Sequence, residues 1–323
     1  MRLLVTGAAG FIGSNFVRMI ASGQIEGISR ITVLDKLTYA GVKANLTNAE
    51  SFSSYSFFRG DICDSNLVAS LLDEVDAVVN FAAESHVDRS ISGASDFVQT
   101  NIVGVQVLLD AIKASKRKIR FLQVSTDEVY GSIESGSWTE EWPLLPNSPY
   151  SASKASGELL ARSYNITHGM DVVITRCSNN YGTHHFPEKL IPLFITNLIE
   201  GKKVPVYGTG ENVRDWLHVD DHCRGIHSVL MNGRSGEVYN IGGGRELTNN
   251  EITSLILEAM GVVESSIEYV EDRKGHDLRY SVDWTKINRE LGYEPRVKFE
   301  DGLRETIQWY RNNEAWWKPL KNR

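Results

Sequence analysis

At 323 residues with 41% hydrophobic content, the chain can hold a large α/β domain and a smaller partner, which excludes a small stapled module. A net charge of -7 argues against general adhesion to nucleic acid, and no basic stripe interleaved with aromatics is present. Cys63, Cys177 and Cys223 have neither zinc-site spacing nor the density of a disulfide framework, so buried thiols in a reducing compartment, and no metal, are expected.

Arg2-Leu3-Leu4-Val5 enters a strand at once and no apolar run is long enough to span a bilayer, so a cytoplasmic protein without membrane attachment is expected. The strand runs into Gly7-Ala8-Ala9-Gly10-Phe11-Ile12-Gly13 and then into an amphipathic segment through Phe16, Val17 and Ile20. Strand, glycine turn and helix in that order predict a dinucleotide site. The glycines permit a tight turn and close backbone approach to a pyrophosphate, and the helix N-terminus attracts the anion. Gly7, Gly10, Phe11, Ile12 and Gly13 are the expected contacts.

The next strand, Ile31-Thr32-Val33-Leu34, ends at Asp35, where a carboxylate accepts from the adenosine ribose and repels a 2′-phosphate. NAD is therefore expected rather than NADP, with Lys36 the one residue pulling the other way. Gly60-Asp61-Ile62 either brackets an adenine edge or lets Asp61 cap a helix; both readings stand. Ala77-Val78-Val79-Asn80 is a fourth strand, and the small Ala82 and Ala83 beyond it suit backbone lying beside a cofactor. Helical spacing from Asp96 to Ala114 places Thr100 and Asn101 in the first turns of a long helix.

Phe121-Leu122-Gln123-Val124 reads as a buried parallel strand, which sets Ser125-Thr126-Asp127-Glu128 at its carboxyl edge, where open α/β sheets bind ligands. Pro149 then opens a helix on which Tyr150 and Lys154 share a face. A phenol titrates near ~10, so a neighbouring ammonium is expected to favour its phenolate and make Tyr150 a general base. Asp171 to Arg176 is a sixth strand, and the α/β rhythm breaks at Cys177-Ser178-Asn179-Asn180.

Beyond that break Lys189, Arg214, Arg273, His276 and Arg279 form a basic set suited to phosphate oxygens, and Tyr207 can stack on a base, which suggests a nucleotide handle on the substrate. Leu217 to His222 lacks a full metal ligand set and reads as a strand running into a capped helix. Asn240-Ile241-Gly242-Gly243-Gly244 is expected to close a substrate wall, and Trp309, Trp316 and Trp317 to cover apolar surface.

The motifs TGAAGFIG, LDKLTYAG, NFAAESHVDRSI, VSTDEVYG, PYSASKA, RCSNNYG, FPEKLIP, RDWLHVDDHCRGI and DRKGHDLRYS resemble the extended short-chain dehydrogenase/reductase superfamily, and within it the nucleotide-sugar 4,6-dehydratases. The likeness covers essentially the whole chain. It implies a Rossmann-type doubly wound parallel sheet with bound NAD over residues 1–178, joined by 215–239, and a smaller C-terminal sugar-nucleotide domain from 179–214 and 240–323. It also implies a homodimer and dTDP-glucose as substrate.

Carried over by motif, the implied cofactor residues are those of the glycine turn with Asp35, Lys36, Thr38, Asp61, Ile62, Ala82, Ala83, Thr100, Tyr150, Lys154 and Asn179. The implied substrate contacts are Ser85, Thr126, Asn180, Glu188, Lys189, Leu190, Pro205, Tyr207, Arg214, Asn249, Arg273 and His276. Catalysis is implied for Thr126, Asp127, Glu128, Tyr150 and Lys154: Tyr150 and Lys154 for oxidation at carbon 4, Glu128 as base at carbon 5, Asp127 as acid at the 6-hydroxyl. Thr183-His184-His185 and Lys274 depart from the common pattern, at positions expected to border the substrate pocket. A related epimerase or decarboxylase is the competing enzyme reading; a dinucleotide-sensing regulator would have no need of intact Thr126, Tyr150 and Lys154.

Overall fold

The computed structural model describes residues 1–322. Its strands are β1 (Arg2–Thr6), β2 (Arg30–Asp35), β3 (Tyr55–Arg59), β4 (Ala77–Asn80), β5 (Arg120–Thr126), β6 (Val172–Cys177), β7 (Asn179–Tyr181), β8 (Val204–Tyr207), β9 (Val213–His218), β10 (Val238–Ile241), β11 (Glu246–Thr248) and β12 (Ile267–Val270). Seven form one parallel sheet in the spatial order β3-β2-β1-β4-β5-β6-β10. The chain winds outward from β1 to β3, returns to β4 and winds the other way, so the carboxyl ends of β1 and β4 flank a switch point where a crevice opens. This is the Rossmann-type sheet expected.

Both faces of the sheet are covered, which is why its strands read as unbroken apolar runs. Leu3, Val5, Val33 and Val79 pack on one side with Phe16, Val17, Ile226 and Leu230. Leu4, Leu34, Val78 and Phe121 face the other way, onto Val68, Val105, Leu108 and Ala161. Two glycines after β1 are sterically required. Gly7 has φ +69°, and a Cβ there would lie 2.4 Å from the Ala82 nitrogen. One at Gly13 would lie 2.6 Å from the Gly7 carbonyl oxygen.

The smaller half holds a three-stranded sheet, β11-β9-β7, and a pair, β12-β8. Its core gathers Tyr181, Ile195, Trp216, Ile252, Leu303, Tyr310 and Trp317. Strand β9 belongs here, so the return to the large sheet begins with the helix Val219–Asn232, not at residue 215. Strand β10 pairs with β6 through Asn240 and Ile241, two residues past the expected crossing at 239. The side chain of Asn240 is spent inside the fold, accepting from the Tyr130 hydroxyl (2.9 Å) and donating to the Trp138 carbonyl (2.9 Å). Gly243 packs on the Trp216 carbonyl.

Three further expectations shift. The long helix begins at Ser95 and passes through a π turn, Gln99–Val103, before continuing as Gly104–Ala114. Cys177 and Cys223 are buried free thiols, whereas Cys63 is half-buried. The tail is more than a cover: Trp317 is fully buried in the second core, and the Trp316 indole donates to Asn45 Oδ1 (2.9 Å). Asn45 in turn donates to the Ala9 carbonyl (3.2 Å) in the glycine turn. Among the described residues no helix is long and apolar enough to cross a membrane.

Trp317→Ala should destabilise the chain by about 3–5 kcal/mol through the cavity left in the second core. Denaturant unfolding checks this, and a loss below ~1 kcal/mol would mean that the tail contributes little to that core.

Candidate active site

A cleft of about 300 Å³ opens at the carboxyl edge of the large sheet, and a second of about 280 Å³ adjoins it in the smaller half. Glu128, Asn179, Asn180, His185, Glu188 and Lys189 line both. The first cleft is lined by the whole expected cofactor set: Gly7, Gly10, Phe11, Ile12, Gly13, Asp35, Lys36, Thr38, Asp61, Ile62, Ala82, Ala83, Thr100, Tyr150, Lys154 and Asn179.

Several features of this cleft suit a dinucleotide. The helix Phe11–Ala21 starts at Gly10 with no side-chain cap, leaving its first N–H groups for an anion. Asp35 is buried and accepts from the backbone N–H of Ala9 (2.8 Å) and Leu37 (2.7 Å), which fixes its carboxylate at the end of β2. Lys36 pairs with Asp61 at 2.7 Å, while Asp64, not Asp61, caps the next helix. Asn179 Oδ1 is buried without a protein partner. From the π turn, buried Asn101 accepts from the Glu84 N–H (3.0 Å) and donates to the Glu84 carbonyl (3.0 Å) and the Ser153 hydroxyl (2.8 Å), clamping the loop after β4 to the Tyr150 helix.

At the end of β5 two adjacent carboxyls meet different surroundings. Asp127 is 2% exposed; its Oδ1 accepts from the Thr126 hydroxyl at 3.2 Å, and its Oδ2 has no partner. Burial, then the charge of Glu128, pushes the Asp127 carboxyl well above its ordinary range. Burial also raises Glu128, but the cations Lys189, Arg214 and Arg273 oppose that rise. Adjacent acids are thus divided, with Glu128 the one favoured to ionise.

Tyr150 departs from the expected picture. Burial and then the Glu128 charge hold its proton more tightly than usual, and a hydrogen bond with Thr126 is what opposes them. The Lys154 ammonium donates instead to the Val124 carbonyl at 2.7 Å, and burial lowers it to about 8. In the protein alone, Lys154 therefore does not make Tyr150 a phenolate; a positive group in the cleft is still needed.

In the second cleft lie Leu190, Pro205, Tyr207, Arg214, Asn249, Arg273 and His276, whereas Ser85 and Thr126 line the first. Arg214 stacks 4.2 Å from the Tyr280 ring and donates to the carbonyl of Asp277 (2.9 Å). Arg273 stands 5.4 Å from the Tyr207 ring and pairs with Asp88 at 3.0 Å. Lys189 donates to the Ser85 carbonyl (2.9 Å), tying the two halves together across the clefts.

Arg279 lines neither cleft, because Glu246 takes its guanidinium at 2.7 Å. Gly242, Gly243 and Gly244 line neither, so that turn walls no substrate site. Of the departing positions, His185 lines both clefts with its ring stacked 4.0 Å from Phe11, while His184 packs on Trp309 (4.3 Å) and Lys274 lines neither cleft. Sequence reasoning missed His86, Asp88, Trp216 and Tyr280 in the second cleft. All four sit inside quoted motifs; His86 and Asp88 carry polar chemistry that was within reach, whereas Trp216 and Tyr280 read there as ordinary core aromatics. Among the described residues no cluster of three or more His, Cys, Asp or Glu is placed to hold a metal.

A family model described as GDP-mannose 4,6 dehydratase matches residues 4–306. A dTDP-glucose 4,6-dehydratase of Streptomyces niveus is 58% identical over 100% of this chain and 96% of its own length. One from an Actinoplanes species is 59% identical over 98% of this chain and 100% of its own. The chain belongs to the dTDP-glucose 4,6-dehydratase family. The dTDP-glucose 4,6-dehydratase of Streptomyces venezuelae, solved with NAD and TYD bound, is similar throughout, with a TM-score of 0.98, 58% identity and coverage of 99% of this chain and 100% of that one. A UDP-glucuronic acid 4-epimerase of Bacillus cereus shares the fold at a TM-score of 0.89 but only 29% identity, covering 97% of this chain and 99% of its own.

In this dTDP-glucose 4,6-dehydratase family member the raised Asp127 carboxyl has a consequence for stability. The unfolded chain ionises near the ordinary 3.8 while the folded chain keeps the proton. Native stability is thus fully present below that value and declines as pH rises from there toward the folded pKa. Asp127→Asn should therefore raise Tm at pH 7 by about 2–4 °C for each ~1 kcal/mol of relieved cost, with the gain vanishing below about pH 4. Calorimetry across pH checks this; an equal or lower Tm at pH 7 would contradict a neutral buried carboxyl.

Proposed function

We propose that this chain converts dTDP-glucose to dTDP-4-keto-6-deoxyglucose and water with NAD that stays bound between turnovers. The observation that carries the reading is Thr126-Asp127-Glu128: two adjacent carboxyls in contrasting surroundings, in one cleft with Tyr150 and Lys154. An epimerase has no use for such an acid and base pair.

When bound, NAD supplies a hydride acceptor for carbon 4 of the sugar, a hydride donor for carbon 6 and a positive ring charge beside Tyr150. The glycine turn and the uncapped helix N-terminus hold its pyrophosphate, Asp35 its adenosine ribose, and Asp61 and Ile62 its adenine edge. Lys36, Thr38, Ala82, Ala83, Thr100, Lys154 and Asn179 complete the cradle. Lys189, Arg214 and Arg273 serve the substrate diphosphate and Tyr207 its base. Ser85, Asn180, Glu188, Leu190, Pro205, Asn249 and His276 complete the sugar-nucleotide site.

Tyr150 takes the proton of the 4-hydroxyl, whose oxygen Thr126 holds. The resulting 4-ketone acidifies the hydrogen on carbon 5, and Glu128, ionised under the influence of Lys189, Arg214 and Arg273, removes it as a proton. Asp127, kept neutral, gives its proton to the departing 6-hydroxyl, and water leaves. Glu128 later returns its proton to carbon 5. Over the cycle Tyr150 has gained a proton and Asp127 has lost one; Thr126, 3.2 Å from Asp127, supplies a hydroxyl through which that imbalance is cancelled.

The enzyme acts as a cytoplasmic homodimer. Val98, Leu159 and Ile166 are exposed at 46%, 55% and 62%, and Ala152, Leu159 and Ile166 recur every seven residues on the open face of the helix Pro149–His168. Two copies of that helix and the one from Ser95 would make a four-helix contact.

Incubated with dTDP-glucose and no added cofactor, the purified protein should yield a nucleotide sugar lighter by one water, with deuterium from carbon 4 recovered in the methyl group. An unchanged mass even after NAD is added would sink the dehydratase reading. Asp127→Asn and Glu128→Gln should each slow turnover by about 10²–10⁴-fold with NAD still bound. The pair Leu159→Glu and Ile166→Glu should convert a dimer to a monomer by light scattering; a monomeric unsubstituted protein would remove the dimer.

A further inference from the structure

Beneath the cleft lies a buried polar network that the reaction as described does not use. The Ser125 hydroxyl donates to Glu158 Oε1, and Glu158 Oε2 accepts from Arg176 Nε (2.9 Å) and Nη2 (2.8 Å). Arg176 Nη1 donates to the Tyr130 hydroxyl (2.7 Å), and the guanidinium lies 4.7 Å from the Tyr130 ring. Tyr130 is stacked 5.1 Å from Trp138. Glu158 is 2% exposed and Arg176 5%.

A buried ion pair rarely stabilises a fold more than well-packed apolar side chains would, so its position needs another explanation. Here the position is informative. Ser125 and Tyr130 bracket the stretch Thr126 to Val129, so one ion pair pins both ends of the segment bearing Asp127 and Glu128. Glu158 also follows Lys154 by one helical turn, on the same buried face.

We propose that Glu158, together with Arg176, is a positioning residue for the reaction: it fixes the Asp127-Glu128 segment from both ends and places its carboxylate one helical turn from Lys154. The inference rests on the dehydratase reading. Charged and titratable groups around Lys154 are Tyr150 and Glu158 on its own helix, Cys177 and Arg176 on β6, and Asp127 and Glu128 beyond β5. Burial pulls the Lys154 ammonium down, and the Glu158 carboxylate is the first influence opposing it, followed by Cys177.

Removing the Glu158 charge lets Lys154 lose its proton at lower pH. The test compares Glu158→Gln, the double variant Glu158→Gln/Arg176→Met and Glu158→Asp. The double variant leaves no unpaired buried guanidinium, so it keeps the question open to experiment if the single variant does not fold. In either neutral variant the alkaline limb of kcat should move to lower pH. KM for dTDP-glucose should stay within about twofold, because uniform binding is untouched. NAD retained after desalting, read by absorbance, should fall, and Glu158→Asp should restore both limb and retention.

A folded neutral variant with an unshifted limb and full NAD would overturn the proposal. So would failure of Glu158→Asp to restore them, or failure of both neutral variants to fold, which would leave the pair a purely structural part. Unsubstituted protein assayed alongside reports on the dehydratase reading itself, so inactivity there is distinguishable from a loss confined to the variants.

Discussion

Two carboxyls side by side in a dry cleft cannot both be ionised, and much of the surrounding structure follows from that repulsion. The end of β5 places Asp127 inward, with one oxygen on Thr126 and the other unpartnered, and Glu128 outward toward Lys189, Arg214 and Arg273. Those cations come from three separate stretches of the smaller half. The division of labour between the acids is therefore set by a domain that contributes neither of them.

The same constraint accounts for the way the halves meet. Tyr39 donates to Glu188 at 2.8 Å with Arg89 stacked 3.6 Å from the Tyr39 ring, and Asp88 reaches Arg273 across the second cleft. Burial raises both carboxyls, and the cations gathered from the smaller half, which oppose that rise most at Glu128, keep their protonation states apart. Cross-cleft ion pairs also join Arg273 to Asp88 and Glu188 to Arg89.

Sequence pattern made the first cleft legible because its parts are local. A glycine spacing, a strand-end aspartate and a tyrosine four residues from a lysine each state their geometry within one turn or strand. The second cleft was less so, since Trp216 and Tyr280 reach it through β9 and a loop and look like ordinary apolar residues. Charge alone misled at Arg279, where Glu246 on a neighbouring strand claims the guanidinium. Glycine content misled at Gly242 to Gly244, where Gly243 packs on the Trp216 backbone and Gly242 against Trp284, Asp215 and Val282. The π turn that aims Thr100 and Asn101 has no sequence signature, and the orientation of Lys154 toward Val124 is a matter of side-chain packing that spacing cannot express.

The bond from Trp316 to Asn45 spans 271 residues of chain, and through Asn45 it steadies the Ala9 carbonyl of the glycine turn. During synthesis, the sheet that carries this turn can assemble long before Trp316 leaves the ribosome. A nascent chain would then present a nearly complete nucleotide fold whose pyrophosphate loop still lacks its last tether. A residue made almost last is in this way coupled, through one side chain, to a turn laid down almost first.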